Sequence, residues 1–295
     1  MAQVTVLIPA HNAAATLAQT LDSLTQQHFR DFAVLVVNDA STDHTAAIAH
    51  SYADRLQIDV LTLEQNAGVA GALNAGLARI DSPYIARLDA DDLAMPQRLA
   101  IQVAFLEAQP GIDACGTAME LFVDVPGHGT QLTVKPASDA AIKTTLIQNN
   151  CMGHPSMLIR RSFFDDVGHY DPRFDYAEDY ELWCRGALLG KCYANLAEPL
   201  TRYRVHAGQV SQQKSLLQAE RDIQVRRRYV TGLLGGAATG NLPDFLSPLI
   251  VFTNRSIGLA VTQQSLPLLF KLGSVAPDPA IFHAIVANSI ARHLA

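Results

Sequence analysis

The sequence predicts an α/β fold: a mostly parallel central sheet with helices on both faces. Two observations predict it. Short β-branched apolar runs alternate with stretches of helical periodicity from Val4 to Asp89, in the order β-α-β-α-β-α-β. Polar residues then gather just after the apolar runs: His11-Asn12, Asn38-Asp39, Asn66 and Asp89–Asp91. Open sheets of this kind bind ligands outside the carboxyl ends of their strands.

Val4 to Ile8 is a first buried strand, stopped by Pro9. Thr16, Leu17, Leu21 and Leu24 recur at helical spacing. Phe32 to Val37 is the second strand, and Ser41 or Thr42 is placed to cap the helix after it. Ile58 to Leu63 is the third strand. Asn66 to Gly76 leads into or forms the next helix, with Val69, Leu73 and Leu77 on one face. Tyr84 to Asp89 is the fourth strand, and it runs into three carboxylates, Asp89, Asp91 and Asp92. Asp89 and Asp91 are two apart, so on extended backbone they point the same way. Converging carboxylates repel unless a cation sits between them, and hard oxygen ligands suit Mg²⁺ or Mn²⁺. The competing reading is an acidic turn in which Asp91 or Asp92 caps the following helix.

Pro96 to Ala108 is expected as that helix, with Leu99, Val103 and Leu106 on one spacing, and Ile112 to Met119 as a further strand. Residues 121–135, with Pro126, Gly127 and Gly129, suit a loop or small hairpin. Ala177 to Trp183 opens a helix with Glu178 and Asp179 at its N-terminus, where negative charge is favourable. Trp183 is the only tryptophan; a core place is expected, with stacking on a sugar as the alternative. Alternation puts Arg204 and His206 on one face of a strand. Lys214 to Leu234 has the makings of a helix, carrying Arg226-Arg227-Arg228 as solvated charge or as a contact for anionic lipid. Gly235, Gly236 and Gly240 mark a break, and residues 241–295 are apolar and helical in pieces.

Composition narrows the class. With 295 residues, 49% hydrophobic and 17% charged, the chain can bury a sizeable core. A formal charge of −6 gives no case for nucleic acid as a partner. Cys115, Cys151, Cys184 and Cys192 match neither a zinc pattern nor a compact disulfide framework, which fits a reducing, cytoplasmic setting. The N-terminus reads as a strand rather than a signal peptide, and no apolar run approaches the ~18 residues of a membrane span. Asn254 and Arg255 interrupt the one stretch that comes near it. The first loop, Pro9-Ala10-His11-Asn12-Ala13-Ala14, lacks the glycines of a dinucleotide site, and no P-loop is present.

Four stretches, in order, resemble the family 2 glycosyltransferases, which have the GT-A fold: Val6–Asn12, Val37–Asp43, Asn66–Gly76 and Leu88–Asp92. The resemblance covers roughly residues 3–212. It implies a catalytic domain over 1–212, with a donor-binding half to about residue 95 and an acceptor half from 96, followed by a mainly helical extension over 213–295. Asp39 would bind the nucleobase or its ribose. Pro9, His11, Asn12, Asn66, Gly68, Asn74, Arg87, Asp89 and Arg204 complete the expected donor-binding set. Asp91 would hold the divalent ion, with Asp89 and His206 beside it. Asn38 and Ala40 depart from the family's aspartate and glycine.

On the acceptor side the resemblance puts the general base in the Glu178-Asp179 pair, Asp179 first and Glu178 as rival. His154 would touch diphosphate or acceptor; an ordinary hydrogen-bonding place at a strand start is the equal alternative. Tyr203–His206, with Ser211 after it, resembles the family's "Y-R-x-H" ending. The Q-x-x-R-W element of processive members is missing, and Gln209–Gln212 is no substitute. The expected activity is therefore inverting, metal-assisted transfer of single sugars from a nucleotide-sugar, uridine- or thymidine-linked by family habit, to a saccharide or lipid-linked saccharide. Peripheral contact with the inner face of the cytoplasmic membrane and a homodimer are the further partner expectations. A nucleotide-sugar hydrolase and a non-catalytic nucleotide- or glycan-binding module are the alternatives.

Overall fold

A computed structural model describes residues 2–125, 129–206, 215–247 and 266–294. Pro126, Gly127, Gln209–Gln212 with Ser211, Lys214, Asn254 and Arg255 lie outside these. The strands are β1 (Val4–Ala10), β2 (Phe32–Asn38), β3 (Ile58–Thr62), β4 (Tyr84–Arg87), β5 (Leu93–Ala94), β6 (Ala114–Phe122), β7 (Gln131–Leu132), β8 (Leu158–Arg160) and β9 (Tyr193–Arg204). They form one sheet in the order β3-β2-β1-β4-β8-β6-β9-β5, with β7 paired to β6. The four strands expected in the first half are all present and mutually parallel. From β8 onward the sheet is mixed: β8 runs antiparallel to β4 and β6, while β6 and β9 are parallel. Antiparallel β6 and β7 make a small hairpin of the 121–135 region.

Strand alternation divides the core. Val4, Val6 and Ile8 share one cluster with Leu17 and Leu21 of helix α1 (Leu17–Thr25), Ala49 of α2 (Thr45–His50) and Leu99 of α4 (Arg98–Ala108). Leu7, Leu35 and Val37 face the other way, onto Leu73 and Leu77 of α3 (Gly68–Leu77). α3 lies so close to β1 that a Cβ at Gly76 would run into Leu7. α5 (Asp139–Thr145) and α6 (Arg161–Val167), with α7 (Glu178–Leu188), cover the same face further along the chain. α5 and α6 escape the sequence reading because both are only two turns long.

Trp183 has the core place: it is fully buried and packs against His154, Phe163 and Tyr193. The extension continues that core. Val225 and Tyr229 of α8 (Ser215–Leu233), Phe245 of α9 (Leu242–Leu246), Leu272 of α10 (helical residues 266–275) and Phe282 of α11 (Pro279–Leu294) join the cluster that contains Trp183. Among the described residues no helix is long and apolar enough to cross a membrane.

Two local expectations are corrected. Neither Ser41 nor Thr42 caps α2; Asp43 accepts hydrogen bonds from the Thr45 N–H and hydroxyl instead. Arg226-Arg227-Arg228 is not one solvated face: Arg226 is buried, Arg227 pairs with Asp244, and Arg228 lies over the Phe174 ring.

Candidate active site

The carboxyl ends of β1 and β2 and the N-terminus of α3 form the first part of the site. Asp39 is buried, and its Oδ1 accepts the Ala67 N–H at 2.7 Å. His11 Nδ1 lies 2.6 Å from the Asp39 carbonyl oxygen and 3.1 Å from Asn66 Nδ2, and its Nε2 lies 3.1 Å from Asn12 Nδ2. Asn12 adopts φ +50° and accepts the Thr42 N–H at 2.9 Å. Asn38 is buried and accepts the Ser41 N–H at 3.2 Å. Ala40, where the family pattern has glycine, adopts φ +51°, a left-handed conformation that glycine enters without a Cβ penalty. Asn66 accepts the Gly68 N–H at 3.2 Å. Gly68 needs to be glycine on two counts: its φ is +72°, and a Cβ there would come within 3.0 Å of Asp175. Pro9 sits half-buried in β1. Asn74 is engaged elsewhere: it clamps Tyr170 at both backbone groups, at 2.8 and 3.0 Å, and so braces the loop before α7.

The acidic loop follows β4. Asp89, Asp91 and Asp92 each offer a carboxylate oxygen, all within 4.8 Å of one another. Their surroundings differ. Asp89 pairs with the buried Arg87 guanidinium. Asp91 Oδ2 meets His206 Nε2 at 3.0 Å. Asp92 is buried; its Oδ1 accepts the Arg204 N–H at 2.8 Å, while Oδ2 is buried without a hydrogen-bond partner. Burial pushes the Asp89 carboxyl up, with the Asp91 charge adding to it and Arg87 opposing. Burial, and then the Asp89 and Asp91 charges, push Asp92 well above the usual carboxylate range. The donor set therefore fits a hard divalent cation: oxygen ligands, mutual repulsion and an orphaned buried oxygen are all answered by one ion. The helix-cap alternative is overturned, because the chain passes from Asp92 into β5, and α4 starts after Gln97 with no side-chain cap.

Asp92 is the member that the two-residue spacing could not single out. Its inward turn depends on Arg204, which lies 112 residues away in sequence. Arg204 itself is buried and heavily engaged: Nε donates to the Asp91 carbonyl at 2.8 Å, Nη2 to Gln19 at 2.7 Å, and Nη1 meets Asp124. In this arrangement it braces the acidic loop. Arg204 and His206 both reach Asp91, at its carbonyl and its carboxylate, but β9 ends at Arg204, so strand alternation does not place His206.

The third part is the start of α7. Asp179 Oδ1 accepts the Tyr180 N–H and Oδ2 the Asn150 amide, both at 2.7 Å. Burial raises its pKa, and those two hydrogen bonds oppose the rise. Glu178 is buried with Oε2 unpartnered, and burial together with the Asp179 charge pushes its pKa up to about 8. His154 is buried in a short 3-10 turn (His154–Ser156), with Nε2 2.9 Å from Tyr170 Oη and Nδ1 3.9 Å from Glu178. Burial, then Arg87, lowers its pKa well below 6.5, so the imidazole is neutral at pH 7. This is the hydrogen-bonding alternative for His154. Arg87 pairs directly with Asp89, and its charge also opposes, less strongly than burial acts, the rise at Glu178 and Asp179. Asn150, Tyr170 and Asp175 escaped the sequence reading, since each matters through a partner far away in the chain.

Comparison with known proteins bears on the family and the fold. The profile described as glycosyl transferase family 2 matches residues 5–168. The amylovoran biosynthesis glycosyltransferase AmsE of Erwinia amylovora is 31% identical over 226 residues, which is 75% of this chain and 84% of the relative. S. aureus TarS, solved with UDP-GlcNAc, superposes with a TM-score of 0.66 at 20% identity, covering 99% of this chain and 89% of that one. The mannosyltransferase PcManGT of Pyrobaculum calidifontis, solved with GDP-Man and Mn²⁺, gives 0.55 at 19% identity, covering 98% and 87%.

Proposed function

The chain belongs to glycosyl transferase family 2 and is a nucleotide-sugar-dependent glycosyltransferase, and from that premise we propose how its residues divide the work. Asp39, with Pro9, His11, Asn12, Asn66 and Gly68 around it, takes the nucleoside. Asp91 is the chief metal ligand, with Asp89 and His206 beside it and Asp92 behind. The ion, when bound, neutralises charge that grows on the departing diphosphate. Arg87 holds Asp89 in place. Asp179 takes the proton from the acceptor hydroxyl as that oxygen attacks the anomeric carbon, so the configuration inverts and no sugar-enzyme bond forms. Glu178, with a pKa raised to about 8, holds its proton at pH 7; it orients the acceptor or His154 rather than acting as base.

One observation carries this reading: Asp89, Asp91 and Asp92 each bring a carboxylate oxygen to one place at the end of β4, all within 4.8 Å of one another. The donor base we assign is uracil or thymine. A structural relative solved with UDP-GlcNAc supports uracil, while another solved with GDP-Man makes guanine the control. The acceptor is a growing surface polysaccharide or its lipid-linked precursor, in keeping with a relative named for amylovoran biosynthesis. Such an acceptor brings the enzyme to the inner face of the cytoplasmic membrane. Phe270 of α10, 77% exposed, is the apolar side chain we assign to contact with that face or with a second copy.

A labelled-donor screen tests the assignment. Uridine and thymidine sugars should protect the protein thermally and pass label to a saccharide acceptor. Protection by guanosine sugars alone would refute the base. Release of free sugar in the presence of acceptors would indicate hydrolysis instead.

A further inference from the structure

The helical extension reaches back into the catalytic half through Arg226. Its side chain is fully buried between α8 and the turn after α5. Nη1 donates to the Gln148 carbonyl at 3.0 Å and Nη2 to Ser247 Oγ at 2.8 Å. A buried guanidinium is costly unless it is paired or hydrogen-bonded, and with Nε left without a hydrogen-bond partner these two bonds are what ties Arg226 to its surroundings. What it holds is the turn that ends in Asn150. Asn150 Oδ1 accepts the Met152 N–H at 3.0 Å, which fixes the amide so that Nδ2 donates to Asp179 Oδ2 at 2.7 Å. The start of the same segment is tied down separately: Tyr229 of α8 donates to the Lys143 carbonyl at 3.0 Å, and Tyr180 of α7 to the Leu146 carbonyl at 2.6 Å.

We propose that Arg226 and Asn150 are positioning residues for sugar transfer: Arg226 fixes the 148–150 turn, and Asn150 in turn aims the Asp179 carboxylate. The proposal rests on Asp179 being the general base. It gives the extension a part in catalysis without any contact between the extension and the substrate. An amide hydrogen bond favours the ionised carboxylate. It also leaves a lone pair on each oxygen free to take a proton. The other groups that face Asp179 are Glu178 on its own helix, Tyr170 before it, Arg87 and Asp89 at the end of β4, Lys135 after β7, and Asp222 on α8. They stay in place when Asn150 is changed, so a shift in pH profile reports the lost hydrogen bond.

The experiment uses the full chain, the nucleotide-sugar selected by the donor screen, and UDP as the calorimetric probe. N150A should lower kcat by ~10–100-fold, the scale expected when a reacting group is misplaced. It should move the acid limb of the kcat profile to higher pH and leave UDP affinity unchanged. R226M should act in the same direction, and R226K should recover part of the loss. In D179N, whose own loss should be ~10²–10⁴-fold, adding N150A should cost nothing further. Wild-type kcat and pH limb in N150A, with D179N inactive, would overturn the proposal and leave the base assignment standing. An N150A loss that multiplies the D179N loss would also overturn it. Normal transfer by D179N would remove the base assignment itself, and the proposal with it. Should R226M fail to fold, R226K carries the test of Arg226: a lowered kcat with the acid limb moved to higher pH supports its part, and wild-type kcat and pH limb overturn it.

Discussion

The two halves of the site are built in different ways. The half assigned to the donor is stitched by side-chain oxygens at strand ends that accept backbone N–H groups of nearby loops: Asn12 from Thr42, Asp39 from Ala67 and Asn38 from Ser41. The acceptor half is held by buried side chains drawn from distant segments: Asn150 on Asp179, Tyr170 on His154, Arg226 on Gln148. Where loops at adjacent parallel strand ends make a pocket, the same side chains hold the loops and line the pocket. Where a helix end must be aimed, side chains are consumed in aiming it. Substitutions in the first half should therefore act on binding, and those in the second on turnover.

The largest expected effect is at the seam between the halves. Asp91→Ala should cut donor turnover by about 10³-fold, the scale of a lost metal ligand that stabilises leaving-group charge by several kcal/mol. Excess chelator should do the same to the native enzyme. Equal rates with chelator and with Mn²⁺ would erase the distinction, because the seam would then need no ion.

Asp179→Asn comes next and sharpens the comparison most directly. Transfer should fall by ~10²–10⁴-fold while UDP affinity, measured by calorimetry, stays near normal. Glu178→Gln should be milder. An inactive E178Q beside an active D179N would hand the base to Glu178.

Glu178 also makes the acceptor half sensitive to pH. Its folded pKa of about 8 stands above the ordinary 4.5, so the native state binds this proton more tightly than the unfolded chain does. Its contribution to stability is full below pH 4.5, is lost as pH rises towards 8, and is constant beyond. Glu178→Gln should therefore lose less stability than the native chain between pH 5 and pH 9, by on the order of 4 kcal/mol in denaturant melts. Parallel pH curves for the two proteins would place the titration elsewhere.

The smallest effect belongs to the donor half. Ala40→Gly relieves a left-handed alanine at φ +51°, worth ~1–2 kcal/mol, but adds ~0.4–1 kcal/mol of unfolded-state freedom. A net gain of roughly 0–1.6 kcal/mol is expected, with donor affinity unchanged. Lower stability of A40G than of the native chain would show that the loop holds the turn without strain.

This contrast also explains what could be read from sequence. The donor half was legible because strand, loop and ligand-facing residue are contiguous: Val37–Asp43 and Leu88–Asp92 each carry backbone and chemistry together. The acceptor half was legible only at Glu178-Asp179 and Tyr203–His206. Asn150 carries no local signal, for its meaning comes from a carboxylate 29 residues on. Asp92 looked like a helix cap until β5 showed that the helix starts later. Arg226 looked solvated because a run of three arginines hides which one turns inward. Helical periodicity leaves that open when apolar residues flank the run on both sides.

The clamp of Asn74 on Tyr170, and the close fit of Gly68 against Asp175, bear on how such enzymes can be recombined. Both contacts cross from the first half of the chain to the second. A chimaera joined near residue 95 would take one member of each contact from either parent. The seam that looks natural along the chain is thus a poor place to splice for a new acceptor. A graft that carries the 170–175 loop along with the nucleotide half keeps both contacts native, and exchanges only what lies beyond them.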